Sequence, residues 1–189
     1  MVSYEQYQEG FVMRIKERSI SKRIILTLHY LLRMFRELNY VKLVSPYRGN
    51  VVPSTLLSDV IMSNDVFGST LGIQPIIGEA KAPCNCVVAR ISELGNAMVL
   101  KSGKTEIVIN IGLDYERYRK EQFKTLVEVG QKIKKGHNLI AFDLNSLYEQ
   151  DRYFVCTVTV KPTKANTFTR FINAKNVDYD TIICNVNLG

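Results

Sequence analysis

The sequence predicts a mainly β protein, with an antiparallel β domain over residues 44–189 behind an α-helical segment over residues 1–43. Three observations carry this. One stretch near the N-terminus repeats its apolar residues with a strong helical period. From "SPYRGNVVP" at Ser45 onward, short β-branched runs are separated by Gly, Pro, Asn and Ser, the pattern of antiparallel strands and turns. Charge is also uneven, since residues 1–43 hold 8 Lys/Arg against 4 Asp/Glu in a chain of net charge +7.

From Ser21, a plausible N-cap, the residues Ile24, Leu28, Leu31, Phe35 and Leu38 recur at intervals of four and three and therefore share one helical face. The earlier piece "EGFVMRIKERSI" fits a second, basic helix with Arg14, Lys16 and Arg18 on its polar side. Strands are predicted at "GNVVPS", "LGIQPI", "AKAPCNCVVARIS", "AMVLKS", "TEIVINIG", "NLIAFDL", "FVCTVTV" and "TIICNVNLG". Two stretches lack strand character: "YERYRKEQFKTLVEVG", and "LNSLYEQDRY", which fits one helical turn or two. The domain boundary is placed near Leu43.

A length of 189 residues, 46% hydrophobic and 23% charged, suits one globular domain with an appendage. The longest apolar stretch, "RIILTLHYLLRMFRELNY", is broken by Arg33 and Arg36, so no membrane span is predicted and a soluble, cytoplasmic protein is expected. With no secretory leader read at the N-terminus, Cys84, Cys86, Cys156 and Cys184 are expected as reduced thiols. Cys84 and Cys86 point to one side by alternation. Without a nearby His or third Cys they make an incomplete metal-ligand set, and a core-filling role is predicted for them.

The segment "VEVGQKIKKGHNLIAFD" places Gly130 and Gly136 at turns between short strands, a spacing found in barrel-sandwich hybrid folds. Biotinyl and lipoyl carriers, some zinc peptidases and one family of sugar-uptake phosphocarriers share it. A carrier needs an M-K-M or D-K-A tripeptide, which is absent, and a zinc peptidase needs two or three converging His/Asp ligands, whereas His137 is the single His of the β region. Residues 44–189 resemble the glucose-type enzyme IIA of the bacterial phosphoenolpyruvate-dependent sugar phosphotransferase system. The likeness runs through "SPYRGNVVP", then "SDVIMSNDVFGSTLGIQP" at Asp59, Ser63, Gly68, Ile73 and Pro75, then "GEAKAP" at Gly78, Ala82 and Pro83. It continues through "GNAMVLKS", "EIVINIGLD" and "VEVGQKIKKGHNLIAFDL" at Gly112, Asp114, Gly130, Gly136, Phe142, Asp143 and Leu144. The fold this implies is an antiparallel β-sandwich of the duplicated hybrid type.

That family carries two histidines on neighbouring strands, one accepting phosphate from the phosphocarrier HPr and passing it to a permease B domain, the other binding the phosphoryl oxygens. The first lies in a pattern like H-x-G-x-D, which reads "NIGLD" here and implies Asn110; the second reads "NAM" and implies Asn96. Neutral imidazole offers an in-plane lone pair to phosphorus. A carboxamide nitrogen gives its lone pair to the carbonyl and serves only as a hydrogen-bond donor. Asn110 is therefore expected to be unable to take phosphate, and Asn96 to donate a hydrogen bond without charge. Leu94 stands where a supporting Thr is frequent in the family. The zinc that the histidine pair can hold is not expected, nor is any other cofactor. His29, on the helix, and His137, in the "KKGHN" turn, are not convincing substitutes.

The resemblance also implies a protein-binding rim formed by Asp59, Val60, Ile61, Met62, Val66, Phe67, Val108 and Asp114, although several of these residues also fit a plain core role. Ser92 and Glu116 depart from the family's apolar preference there. The implied function is that of a regulatory or scaffolding relative without phosphotransfer chemistry, binding an HPr-like carrier, a permease B domain or a regulated transporter or enzyme. The competing function is an active phosphocarrier using an unforeseen nucleophile. For residues 1–43, packing on the β domain or in a homodimer competes with peripheral contact at an anionic membrane face. Nucleic acid is not an expected partner.

Overall fold

Alternating burial organises the principal sheet. In Thr105–Ile111 the side chains of Thr105, Ile107, Ile109 and Ile111 are buried, whereas Glu106, Val108 and Asn110 are only half-buried. This is the period of two that a strand imposes. The computed structural model describes residues 22–31, 40–52, 57, 69–161 and 171–187. Contacts divide the chain into two compact units, Met1–Asn39 and Tyr40–Gly189.

In the first unit, residues 22–31 form helix α1, on which Ile24, Ile25, Leu26, Leu28 and Leu31 are exposed. Ser21, Phe35, Leu38 and the basic stretch with Arg14, Lys16 and Arg18 lie outside the described residues.

The second unit contains, among its described residues, β1 (Tyr40–Val44), β2 (Gly49–Val52), β3 (Ser69–Pro75), β4 (Glu79–Lys81), β5 (Cys86–Ile91), β6 (Ala97–Ser102) and β7 (Thr105–Ile111). It continues with β8 (Phe123–Thr125), β9 (Lys132–Ile133), β10 (Asn138–Phe142), helix α2 (Leu144–Gln150), β11 (Cys156–Lys161), β12 (Asn176–Val177) and β13 (Ile182–Asn187). Eight strands form one sheet in the order β12-β2-β3-β11-β7-β6-β5-β9. A three-stranded sheet has the order β4-β10-β8, and β1 pairs with β13. Every pairing is antiparallel, so the predicted mainly β, antiparallel architecture is the observed one.

Three details differ from the sequence expectation. The boundary near Leu43 falls inside β1, where Leu43 faces Cys184 and Val41 faces Val186. The stretch "AKAPCNCVVARIS" is two strands, because Ala82 bonds out of line to the turn at 136–137, donating to the His137 carbonyl and accepting from Gly136 N–H. Phe123–Thr125 is a strand within a stretch that shows no alternation, held by its pairing with β10.

The core lies against the inner face of the large sheet, where Ile73, Met98, Leu100, Ile107, Ile109, Ile111 and Val158 meet Leu139 and Ile140 of β10 and Leu147 of α2. Each such side chain contributes about 1.5–3 kcal/mol by leaving water. An aromatic group closes one end: Phe154 has Tyr118, Phe142 and Tyr148 around it at ring separations of 6.1, 6.3 and 5.7 Å. Asp143 caps α2 by accepting from Ser146 N–H at 3.1 Å, satisfying one of the free amides of the first turn.

Candidate functional site

Strand β7 sits between β6 and β11, with Asn110 directly opposite Ala97 on one side and Thr157 on the other. Thr157 in turn faces Gly72, and Gly72 faces Val52. Since directly opposed residues in antiparallel strands project to the same side, Val52, Gly72, Thr157, Asn110 and Ala97 form one row across the face opposite the core. Gly112 ends β7 with φ of +74°, in the left-handed region, and the ring of Tyr118 lies where a Cβ would project. Only glycine meets both demands at low cost.

Hydrogen bonds hold this row at two levels. Below it, the fully buried Tyr47 hydroxyl donates to the Asn110 carbonyl at 2.9 Å and to the Thr157 carbonyl at 3.4 Å. Burial, reinforced by Cys156, pushes the Tyr47 phenol well above its ordinary value, so it stays a donor. Within the row, Asn110 Nδ2 donates to Thr157 Oγ1 at 3.4 Å. The Asn110 side chain is half-buried and Thr157 is buried.

Asn96 lies beside this row, its carbonyl accepting from Ile111 N–H at 2.8 Å. Its side chain is 1% exposed. Ser92 Oγ donates to Asn96 Oδ1 at 2.9 Å, Asn96 Nδ2 donates to the Ile111 carbonyl at 3.4 Å, and Ser92 Oγ accepts from Ala97 N–H at 3.0 Å. Gly95, with φ of +79°, turns the chain between β5 and β6 so that this bracket can close. The Asn96 amide is thus engaged inside the protein, not presented to a ligand as an oxyanion donor would have to be.

Farther along the same face, Val108 is opposite Val99 and Thr159, and the Thr159 and Thr70 hydroxyls are 2.9 Å apart. The next row is charged, with Glu106 between Lys101 and Lys161 at 3.5 Å from each. Burial opposes ionisation of Glu106, but Lys161 and Lys101 outweigh it and hold the carboxyl below its ordinary value. Beyond Thr157, Leu57 packs over Gly72, with its Cδ2 2.6 Å from where a Cβ would stand.

Of the rim residues predicted from the sequence, Val108 and Asp114 are described, both half-buried. Asp114 is paired with Arg117 Nε at 2.7 Å. Asp59, Val60, Ile61, Met62, Val66 and Phe67 lie outside the described residues. His29 is exposed on α1, and His137 is exposed in the turn that bonds to Ala82. No group of three or more His, Cys, Asp or Glu able to hold a metal occurs among the described residues. No helix there is long and apolar enough to cross a membrane. Ser92 was noted in the sequence as a departure at the rim but not as a partner of Asn96, and Tyr47 and Thr157 were not singled out as site residues. The outward phase of "CTVTV" signals Thr157; nothing local signals Tyr47.

Comparison with known proteins agrees with this fold. The sequence model of the phosphoenolpyruvate-dependent sugar phosphotransferase system, EIIA 1, matches residues 41–166. The glucose-specific EIIBCA component of the phosphotransferase system in Corynebacterium glutamicum is 31% identical over 150 residues, covering 78% of this chain and 22% of that protein. The mannose-specific EIIBCA component of the same species is 28% identical over 148 residues, with the same coverage. The chain therefore spans about a fifth of the length of these relatives. Among solved structures, glucose permease IIA from Mycoplasma capricolum superposes with a TM-score of 0.69 at 17% identity, covering 79% of this chain and 96% of that one. This likeness shows the shared fold. The chain belongs to the EIIA 1 family of the phosphoenolpyruvate-dependent sugar phosphotransferase system.

Proposed function

We propose that this protein is an EIIA module that does not accept phosphate and that acts through protein contacts, as a regulatory or scaffolding member of its family. One observation carries the reading: the side chain at the end of β7, in "NIGLD", is the carboxamide of Asn110, bonded to Thr157. A carboxamide has no free lone pair on nitrogen with which to attack phosphorus. The engagement of Asn96 by Ser92 and Ile111 adds to it, because a buried, internally bonded amide is poorly placed to steady a phosphoryl oxygen.

The relatives' printed names join the A part to B and C parts in one glucose- or mannose-specific component. The partners we propose are accordingly HPr, a permease B domain, or a transporter or enzyme controlled by the unphosphorylated module. The face around Val108 and Asp114 is the contact surface in this reading. The proposed setting is the cytoplasm, with peripheral membrane contact through the basic N-terminal segment as a further option.

The test is to incubate the full chain with phosphoenolpyruvate, enzyme I and HPr, and to seek an acid-labile phosphoryl adduct of about 80 Da by mass spectrometry. No adduct is expected under conditions that label an active EIIA in the same tube. Stoichiometric labelling at any residue would overturn the reading and restore an active phosphocarrier.

A further inference from the structure

Away from the Asn110 row, the sheet register gathers several thiols and a hydroxyl whose chemistry the proposed function does not use. Cys84 lies in the bend between β4 and β5, and Cys86 opens β5. Val87 faces Lys101, which brings Cys86 alongside Ser102 at the end of β6. Cys184 faces Leu43, and the adjoining Val44 N–H bonds to the Pro83 carbonyl at 3.0 Å, so β13 approaches the same bend. The Cys84 and Cys86 thiols are hydrogen-bonded to each other, and the Ser102 hydroxyl bonds to Cys84. All the thiols here are free, and Cys84 and Cys86 are 3% and 6% exposed.

The two thiols of the pair are not equivalent. The hydrogen bond from Cys86 lowers the Cys84 thiol below its ordinary value against the opposing effect of burial, with Ser102 assisting. Donating that bond, and then burial, push Cys86 up. The two sulfurs thus lie within reach of each other, the arrangement a thiol pair needs to close a disulfide once either is oxidised. Residues two apart have Cα atoms separated by at most about 7 Å, so a bridge between them needs little chain movement. The bend is strapped to an exposed turn by Ala82 N–H to the His137 carbonyl, Gly136 N–H to the Ala82 carbonyl and Lys135 N–H to Asn85 Oδ1, each at 2.9 Å. A small oxidant would reach the buried sulfurs through local opening of these three bonds.

We propose that Cys84 and Cys86 form a redox modification site, oxidised by peroxide to a disulfide within the "CNC" stretch and reduced again by a dithiol. The Cys84 thiolate attacks one peroxide oxygen, the O–O bond breaks, and hydroxide leaves with the proton it collects as water. The Cys86 sulfur then displaces water from the resulting sulfenic acid. Overall two thiols and one hydrogen peroxide give one disulfide and two waters, the sulfurs losing the two electrons that the peroxide gains. Reduction is thiol–disulfide exchange with a dithiol, which takes up the bond as its own disulfide.

The test treats the reduced full chain with hydrogen peroxide, alkylates the remaining thiols with iodoacetamide, and digests with trypsin without reductant. Both cysteines fall in the peptide 82–90 and Cys184 in the peptide 176–189, so the bridge and its competitor are read separately. The expected result is that peptide 82–90 loses about 2 Da, the mass of two hydrogens, and takes up no alkyl group. Dithiothreitol before alkylation restores two alkylatable sulfurs. Uptake of two alkyl groups after peroxide, oxygen addition at Cys84 without a bridge, or a link to peptide 176–189 would each overturn the proposal. The wild-type chain decides the matter by itself; in Cys86→Ser, Cys84 is expected to stop at a sulfenic acid trapped by dimedone.

Discussion

Asn110 and Asn96 carry the same functional group in different settings, and the difference fixes what each substitution should do. Asn96 is 1% exposed and its carboxamide has partners at both ends, so Asn96→Ala strands the Ser92 hydroxyl and the Ile111 carbonyl. Leaving buried polar groups unpaired costs about 1–3 kcal/mol. Asn110 is half-buried with one side-chain bond of 3.4 Å, so Asn110→Ala is expected to cost less than about 1 kcal/mol. Urea denaturation of the two variants checks the order, and a larger loss at Asn110 would show its amide bearing structural weight. The positions themselves were legible in "NIGLD" and "GNAM". Their surroundings were not, because Thr157 lies 47 residues from Asn110 and Tyr47 reaches it across 63. Register between distant strands decides such meetings, and no local pattern records it.

Strands with clear alternation were legible in the sequence, and the ones missed are those whose order comes from a partner. β12 has two residues and β8 three, too few for a period to appear. All of β1 except Val44 was absorbed into the helical segment 1–43, although Val41 and Leu43 are β-compatible residues, because its identity depends on pairing with β13. Glycines within strands mark another feature of elements, the approach of neighbouring chain. A Cβ at Gly49 would strike the Gln74 carbonyl oxygen and carbon, which are backbone of the adjacent strand. A Cβ at Gly72 would meet the Leu57 side chain, which can rotate. Gly49→Ala is therefore expected to cost more than about 2 kcal/mol and Gly72→Ala about 1 kcal/mol. Thermal unfolding of both variants reads the contrast, and equal effects would mean that the β2–β3 register adjusts easily.

At the scale of the whole molecule, the pairing of β1 with β13 closes the β unit by joining its first strand to its last. The two places at which the N-terminal segment could be cut then have opposite consequences. A chain starting at Tyr40 keeps the whole ladder from Tyr40 opposite Asn187 to Val44 opposite Ile182. One starting at Val44, the boundary suggested by the sequence, loses Leu43 and its pairing with Cys184 and removes Val41 from opposite Val186; Leu43, Cys184 and Val186 are all buried. Exposing these side chains costs about 1.5–3 kcal/mol each, and the edge of β13 is left without hydrogen-bond partners. The chain 40–189 is expected to melt cooperatively, while the chain 44–189 melts many degrees lower or fails to fold. Circular dichroism melts of the two constitute the measurement. Equal stability would mean that β13 finds its support elsewhere, whereas failure of both would mean that residues 1–39 contribute to the β unit and that the two units fold as one.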